Sequence, residues 1–156
     1  MSDRRLSVLW CDDIRMELGN KPSLMGVYTG TMVLASLPAT LQRLSARVSI
    51  ETPKENPIQR FALKIIRSDD HVIFETLEVA AQYNTDFQPP PDSKMQIMVM
   101  QVQLSPVELP IECKFFKVVA QVDGEEIESS KLFIQVNAQL LQQQVPGSVL
   151  TINPIS

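Results

Sequence analysis

The chain has 156 residues, 44% hydrophobic and 21% charged, which excludes wholesale disorder and fits one folded domain over residues 1–156. Its formal net charge is −4, and its lysines and arginines are scattered, so binding to nucleic acid or to an anionic membrane is disfavoured. The apolar run Leu6–Cys11 is too short for a signal-peptide core or a membrane helix. Cys11 and Cys113 each lie in an apolar run, which predicts free, buried thiols and a cytoplasmic protein.

Short runs of β-branched and aromatic residues, separated by turn residues, predict about eight strands. In chain order these strands are Leu6–Cys11, Gly26–Leu34, Leu44–Thr52, Arg60–Arg67, Val72–Ala81, Met95–Leu104, Glu112–Val122 and Leu132–Asn137. The third is the clearest, because apolar and polar residues alternate along it and one face is therefore buried. Between Leu34 and Leu44, around Pro38, the spacing of leucines predicts at most one short helical turn.

Local sequence predicts two β-hairpins. Asp123-Gly124 interrupts the alternating runs of Phe115–Val136, and Asp-Gly is typical of a type I′ turn, which needs positive φ at both central residues. Continued in phase, the second run would turn its apolar residues outward, so we expect a β-bulge near Glu128–Ser130. The polar loop Ser68–His71 predicts the second hairpin.

These elements predict an all-β fold, an antiparallel β-sandwich of immunoglobulin-like or C2-like type. A small closed β-barrel is the alternative. Met95–Leu104 begins apolar on both faces, so it belongs either in the centre of the sandwich or where its outer face meets a partner. The prolines within Asp86–Lys94 predict an extended crossover between two sheets.

The stretch Trp10–Tyr28 carries the pattern C-D-D-I-R-x-E followed by G-x-K-x-S-L-x-G-V-Y. The matching residues are Cys11, Asp12, Asp13, Ile14, Arg15, Glu17, Gly19, Lys21, Ser23, Leu24, Gly26, Val27 and Tyr28. In this stretch the chain resembles a family of short, uncharacterised bacterial and phage proteins. The resemblance implies a β-sandwich without an assigned activity, and it supplies no catalytic residues.

Asp12, Asp13, Arg15 and Glu17 form the densest charge cluster and are candidate partner-binding residues. As a binding site, two carboxylates and a guanidinium at a strand end would hold a cation or a peptide. As a structural feature, Asp12 would turn the chain leaving the first strand, and Arg15 would pair with Asp13 or Glu17. The structural interpretation is favoured, because charge pairs are commonly structural.

Phe115 and Phe133 are further candidate partner-binding residues, on a hairpin with large side chains on both faces. The second sheet and the C-terminal tail would cover these faces, or one face would bind a protein. An edge strand here would also be able to pair with a second copy of the chain.

Catalytic and metal-binding patterns are weak in this sequence. His71 is the only histidine, and it lies beside Asp69-Asp70 without an evident nucleophile or substrate pocket. Calcium would need six or more oxygens from converging loops, and the aspartates at 69, 70, 86, 92 and 123 match no loop motif. We therefore expect no enzyme, no cofactor and no metal site.

The function expected from these features is that of a non-enzymatic, cytoplasmic protein of bacterial or phage origin that binds another protein or a second copy of itself. In a phage, such binding would serve virion assembly or interference with a host pathway. The alternative is a protein that holds a small apolar ligand between its sheets, near Met98, Met100 and Phe116. An enzyme centred on His71 ranks third.

Overall fold

The structure, a computed structural model, describes residues 3–83 and 89–140, and these residues form thirteen strands. The strands are β1 (Arg5–Glu17), β2 (Lys21–Tyr28), β3 (Thr31–Leu34), β4 (Ala39–Leu41), β5 (Leu44–Pro53), β6 (Arg60–Arg67), β7 (Val72–Glu75), β8 (Val79–Ala80), β9 (Met95–Leu104), β10 (Val107–Leu109), β11 (Phe115–Val122), β12 (Glu125–Glu128) and β13 (Leu132–Val136). The all-β fold and the sandwich predicted from the sequence are confirmed. Within the described part of the chain, no helix is long and apolar enough to cross a membrane.

The first sheet has four antiparallel strands in the order β2-β1-β5-β9. The central strand β5 shows the predicted alternation: Leu44, Val48 and Ile50 are fully buried, whereas Arg47 and Ser49 on the other face are half-buried. We call this second face, which points away from the core, the outer face of the first sheet.

The second sheet has the order β3-β13-β11-β6-β7, with β12 also paired to β11 and β8 also paired to β6. Its pairs are antiparallel except β13 with β3, which run parallel. Strands β4 and β10 form a separate two-stranded sheet. The core lies between the two main sheets, where Trp10 of β1 meets Phe116 of β11 with ring centroids 6.3 Å apart.

Both predicted hairpins are confirmed. Asp123 and Gly124 have φ values of 50° and 85°, as a type I′ turn requires. Along β11 the register moves by one residue between the pairs Val119↔Glu128 and Phe116↔Leu132, so the predicted bulge is present. The buried Ser129 lies in that bulge, and its Oγ accepts a hydrogen bond of 2.9 Å from the N–H of Val118.

Several predicted boundaries were wrong because strand partners are not visible in local sequence. The first strand does not end at Cys11; it continues to Glu17, since β2 provides a partner for β1 between Trp10 and Glu17. The predicted strand Gly26–Leu34 is divided at Thr29-Gly30, and the expected helical turn near Pro38 is replaced by β4.

One of the two sequence interpretations placed β9 in the centre of the sandwich. That interpretation was wrong, because β9 lies at the edge of the first sheet. The segment before it does connect the second sheet to the first, as predicted. It is not extended throughout, because residues 91–92 form a turn. Residues 84–88 of that predicted crossover lie outside the described residues.

Candidate interaction surface

The hairpin of β1 and β2 extends beyond the first sheet. Pairing of β1 with β5 ends at Cys11↔Ser45, whereas pairing of β1 with β2 continues to Glu17↔Lys21. We call the projecting part, Asp12–Gly26, the arm. Because β1 has lost its second neighbour there, the arm can bend away from the plane of the sheet.

The arm bends over the outer face of the sheet towards β9. Gln103 Nε2 lies 3.0 Å from Asp13 Oδ1, and Gln101 Nε2 lies 3.5 Å from Met16 Sδ. Both glutamines are on β9, which is separated from β1 by β5. The arm therefore crosses above β5 to reach the opposite edge of the sheet.

The bend is located where Asp12 faces Gly26. The neighbouring residues on both sides are paired, but these two are not, and Gly26 has a φ of +65°. A Cβ atom at Gly26 would lie 2.1 Å from Asp12 Oδ2, so only glycine leaves room for the carboxylate. The hydroxyl of Tyr28 donates a hydrogen bond to Asp12 Oδ1. Burial, followed by this hydrogen bond, raises the pKa of Tyr28 well above its usual range.

Asp13 holds the bent arm in place. Its carboxylate accepts hydrogen bonds from Arg43 (2.8 Å), Gln103 (3.0 Å) and Arg15 (3.2 Å). The hydrogen bond from Arg15 is the main reason that the pKa of Asp13 is lowered; burial opposes it, and Arg43 adds to it. We call these four residues the Asp13 cluster. It joins the arm to the start of β5 and to the end of β9.

The arm buries residues that face away from the core. Cys11 and Ser45 are out of phase with the core residues beside them, yet both are fully buried. Cys11 Sγ lies 3.5 Å from the carbonyl oxygen of Asp13, and burial is the main cause of its raised pKa. The buried, free thiol predicted for Cys11 is therefore confirmed, as is that of Cys113.

Large apolar side chains are exposed on the arm, near its tip at Met16 and Leu18 and beside the bend at Met25. Leu18 is 96% exposed, Met16 is 57% exposed and Met25 is 48% exposed. On the outer face of β9, Ile97 and Val99 are 54% and 42% exposed. The contact of Met16 with Gln101 brings these two groups together, because Gln101 is the next outward residue after Val99. We call these five apolar residues the arm–edge surface.

The predicted partner-binding residues lie on two different sheets. Asp12, Asp13, Arg15 and Glu17 are all on the arm, and Arg15 pairs with Asp13, as the structural interpretation expected. That interpretation was wrong about Asp12, which bends a continuing strand rather than ending it.

Phe115 and Phe133 lie side by side on the second sheet, so the structure does not bring them to the arm. Their ring centroids are 6.3 Å apart in an edge-to-face arrangement. Lys131 Nζ lies 4.3 Å from the centroid of Phe115, and Phe133 remains 52% exposed. The C-terminal residues 141–156, which were expected to cover this face, lie outside the described residues.

Sequence reasoning missed several residues that shape this surface. Gly26 and Tyr28 belonged to the quoted motif, but nothing local linked them to Asp12. The exposure of Leu18 could have been predicted from the sequence. Leu18 is an apolar residue directly before the turn residues Gly19 and Asn20, and a side chain at such a turn lies away from the hydrophobic core. Gln103 carried none, since its contact with Asp13 spans 90 positions in the chain.

Asp69, beside the catalytic candidate His71, is engaged in local contacts. Arg67 donates two hydrogen bonds to Asp69, of 3.0 and 2.8 Å, and these are the main reason that the pKa of Asp69 is lowered to about 2. The backbone N–H of His71 also points to Asp69, at 3.4 Å. Across residues 3–83 and 89–140, no three histidine, cysteine or acidic side chains are placed to hold a metal ion. Asp86 lies outside these residues.

The fold and the arm together define a β-sandwich protein with a hairpin folded back over one sheet. The chain belongs to a family of unknown function, DUF6941, which it matches over residues 6–135. The match spans nearly all of the described strands, the whole arm included. Neither the comparison with curated proteins nor that with solved structures gives a significant match.

Proposed function

We propose that this chain is a non-enzymatic, protein-binding β-sandwich of bacterial or phage origin that acts in the cytoplasm through the arm–edge surface. If the chain is phage-borne, the contact serves virion assembly or interference with a host pathway. The origin rests on the motif of Trp10–Tyr28, and the binding role rests on the geometry of the arm.

The exposure of Leu18 is the observation that carries the proposal. It is 96% exposed at the tip of a hairpin, and Met16, two residues before it, is 57% exposed. Burying one such side chain in a partner contributes roughly 1.5–3 kcal/mol. Contiguous exposed apolar side chains on a folded protein commonly mark contacts with other proteins.

The Asp13 cluster supports the same role, because it holds the arm in one position before any partner arrives. Three hydrogen bonds join Asp13 to Arg15, Arg43 and Gln103. A preformed binding element loses less conformational entropy on association than a mobile one. In this proposal, the charged residues position the arm and the apolar residues make the contact.

The contacts of Asp69 favour this proposal over an enzyme centred on His71, because its carboxylate is occupied by Arg67. No observation favours the apolar-ligand alternative. Met98 and Phe116 are 5% and 0% exposed and pack within the core. Surface concavities of about 420, 440 and 540 Å³ are lined by other residues.

The test compares tagged full-length chains as bait in lysate of the cells that produce the protein. We expect one co-purifying protein, or an untagged copy of the chain, to be retained by wild type and lost from the Leu18→Ser and Met16→Ser variants. Leu77→Ser is the matched control, because Leu77 is 85% exposed and lies near the second sheet. Equal retention by all variants, with unchanged melting temperatures, would refute the proposal.

A further inference from the structure

In the described part of the chain, the edge strands of the two main sheets differ in how they are protected. Natural proteins shield an edge strand with lysine, proline, a bulge or short length. Strand β2 carries Lys21 and Pro22 and bends at Gly26, and β3 has only four residues. Strands β7 and β8 are also short, with four and two residues, and β7 pairs through a register shift.

Strand β9 has none of these features. It has ten residues, MQIMVMQVQL, without a charge or a proline, and all ten pair with β5 in continuous register. Among the described residues no strand pairs with its other side, where alternate backbone N–H and C=O groups point away from the sheet. Ile97 and Val99 lie beside these groups on the outer face and are 54% and 42% exposed.

We propose that β9 pairs with β9 of a second copy of this chain, antiparallel across a two-fold axis. The four-stranded first sheet of each copy then becomes half of one eight-stranded sheet. The inference rests on the proposed function and names the partner of the arm–edge surface. The edge N–H and C=O groups of one copy then bond those of the other, as in strand addition to an open sheet.

The absence of charge on β9 is the reason for choosing a second copy. Self-pairing across a two-fold axis places a strand opposite itself, and like charges directly opposite each other are destabilising. A strand with charges would repel its copy, and β2, with Lys21, is such a strand. Strand β9 offers only apolar and amide side chains, so Ile97 and Val99 of one copy can pack against those of the other.

The arm enlarges the contact beyond the strand edge. A stable dimer buries roughly 1,200–2,000 Å² in total, which is more than one pair of strands supplies. Met16 already lies beside Gln101 on the outer face of β9, and Leu18 follows two residues later. Met16 therefore borders the edge at which the second copy is placed, and Leu18 is close to Met16 along the arm.

Sedimentation equilibrium of the full-length chain tests the proposal. We expect wild type to dimerise and Val99→Lys to raise the dimer dissociation constant at least about tenfold, because it places a charge from each copy on the outer face beside the joined edges. Ser7→Lys is the matched control, since Ser7 is exposed on the same face but on β1. At concentrations well below the wild-type dimer dissociation constant, where all chains are monomeric, both variants should melt at the wild-type temperature.

Cysteine cross-linking tests the strand register. We oxidise chains that carry one new cysteine, singly and in mixed pairs: Ile97→Cys, Val99→Cys and Gln101→Cys. Residues at opposite positions in an antiparallel strand pair are close enough to form a disulfide. We expect cross-linked dimers from one or two neighbouring combinations and none from Ser7→Cys. The native cysteines at 11 and 113 are buried and should not contribute.

The outcomes separate this inference from the proposed function. A chain that remains monomeric at all concentrations overturns the second-copy proposal. If such a monomer still loses its captured protein when Leu18 or Val99 is changed, the arm–edge surface binds a different protein and the proposed function stands. If it captures nothing that depends on these residues, both proposals fail.

Discussion

The bend of the arm depends on a close approach between Asp12 and Gly26. The carboxylate of Asp12 occupies the space that a side chain at position 26 would need, and the hydroxyl of Tyr28 holds it there. Gly26 also has a φ of +65°, which side chains other than glycine rarely adopt. Two separate physical requirements therefore select glycine at this position.

Gly26→Ala should lower the free energy of unfolding by more than the roughly 1–3 kcal/mol of backbone strain alone. Gly30→Ala provides the comparison, because Gly30 also has a positive φ, of +96°. No atom lies within 4 Å of the position that its Cβ would take. Urea denaturation of both variants measures the difference. Adding Asp12→Ala to Gly26→Ala should recover part of the loss, since the clash is removed. Equal losses for both glycines would mean that Asp12 does not restrict the site.

At the scale of elements, the arm is a strand pair attached at one end and held by the Asp13 cluster over the sheet. If that cluster holds the arm down, Asp13→Ala should increase local opening and expose Cys11, whose thiol lies beneath the bend. In a Cys113→Ala background, the rate of thiol modification of the native protein should rise at least about tenfold.

Two controls accompany the Asp13→Ala experiment. Glu17→Ala, an exposed acidic residue on the same arm, should leave the reactivity of Cys11 unchanged. In a Cys11→Ala background, Asp13→Ala should leave Cys113 protected, because Cys113 lies near Ser68 and Phe115 rather than under the arm. Unchanged Cys11 reactivity in Asp13→Ala would mean that the arm is held by other contacts.

The hairpin of β11 and β12 is determined by its turn. Gly124 has a φ of +85°, and the position that a Cβ atom would take is surrounded by open space. Gly124→Val therefore introduces backbone strain without a clash at Cβ. We expect a loss of roughly 1–3 kcal/mol in unfolding free energy, measured by thermal and urea denaturation. Gly124→Asn should lose much less, because asparagine tolerates positive φ. Equal stabilities for wild type and Gly124→Val would contradict the type I′ assignment.

At the scale of the whole molecule, three aspartates have lowered pKa values. Asp13 and Asp123 connect distant parts of the chain, whereas the partners of Asp69 are local. Burial works to raise the pKa of Asp123, but hydrogen bonds from the backbone N–H groups of Arg60 (2.8 Å) and Gln59 (3.0 Å) outweigh it. The ion pair with Arg4, at 2.7 Å, adds to this effect.

These shifts predict acid sensitivity. In the native protein, each of these three carboxyls has a pKa below the ordinary value of 3.8. Between the native and the ordinary pKa values, the unfolded chain therefore binds more protons than the native chain. The stabilisation is present above pH 4 and is lost as the pH falls towards the native pKa values, about 2 for Asp69. Urea midpoints between pH 2 and 5 should fall more steeply for wild type than for a variant with asparagine at 13, 69 and 123. Parallel curves would assign the acid sensitivity to other groups.

Where the chemistry is local, the sequence was a good guide. The Asp123-Gly124 turn, the bulge after Glu128 and the alternation along β5 follow from positive φ, a period of two and the need to keep apolar residues inward. Within the candidate site, the pairing of Arg15 with Asp13 was predicted for the same reason, because the two residues are close neighbours in the chain.

Properties that depend on distant segments were decided only by the tertiary structure. Whether β1 ended at Cys11 depended on a partner in β2, and whether β9 was central or at an edge depended on the order of four strands. The burial of Cys11 required an arm whose position is set by Gln103, 90 positions further along the chain from Asp13. Alternating polarity specifies which residues face a core, but it carries no information about which strand lies next to which. That choice depends on the packing of the whole chain, and it places β9 at an edge of the described strands and leaves Leu18 exposed.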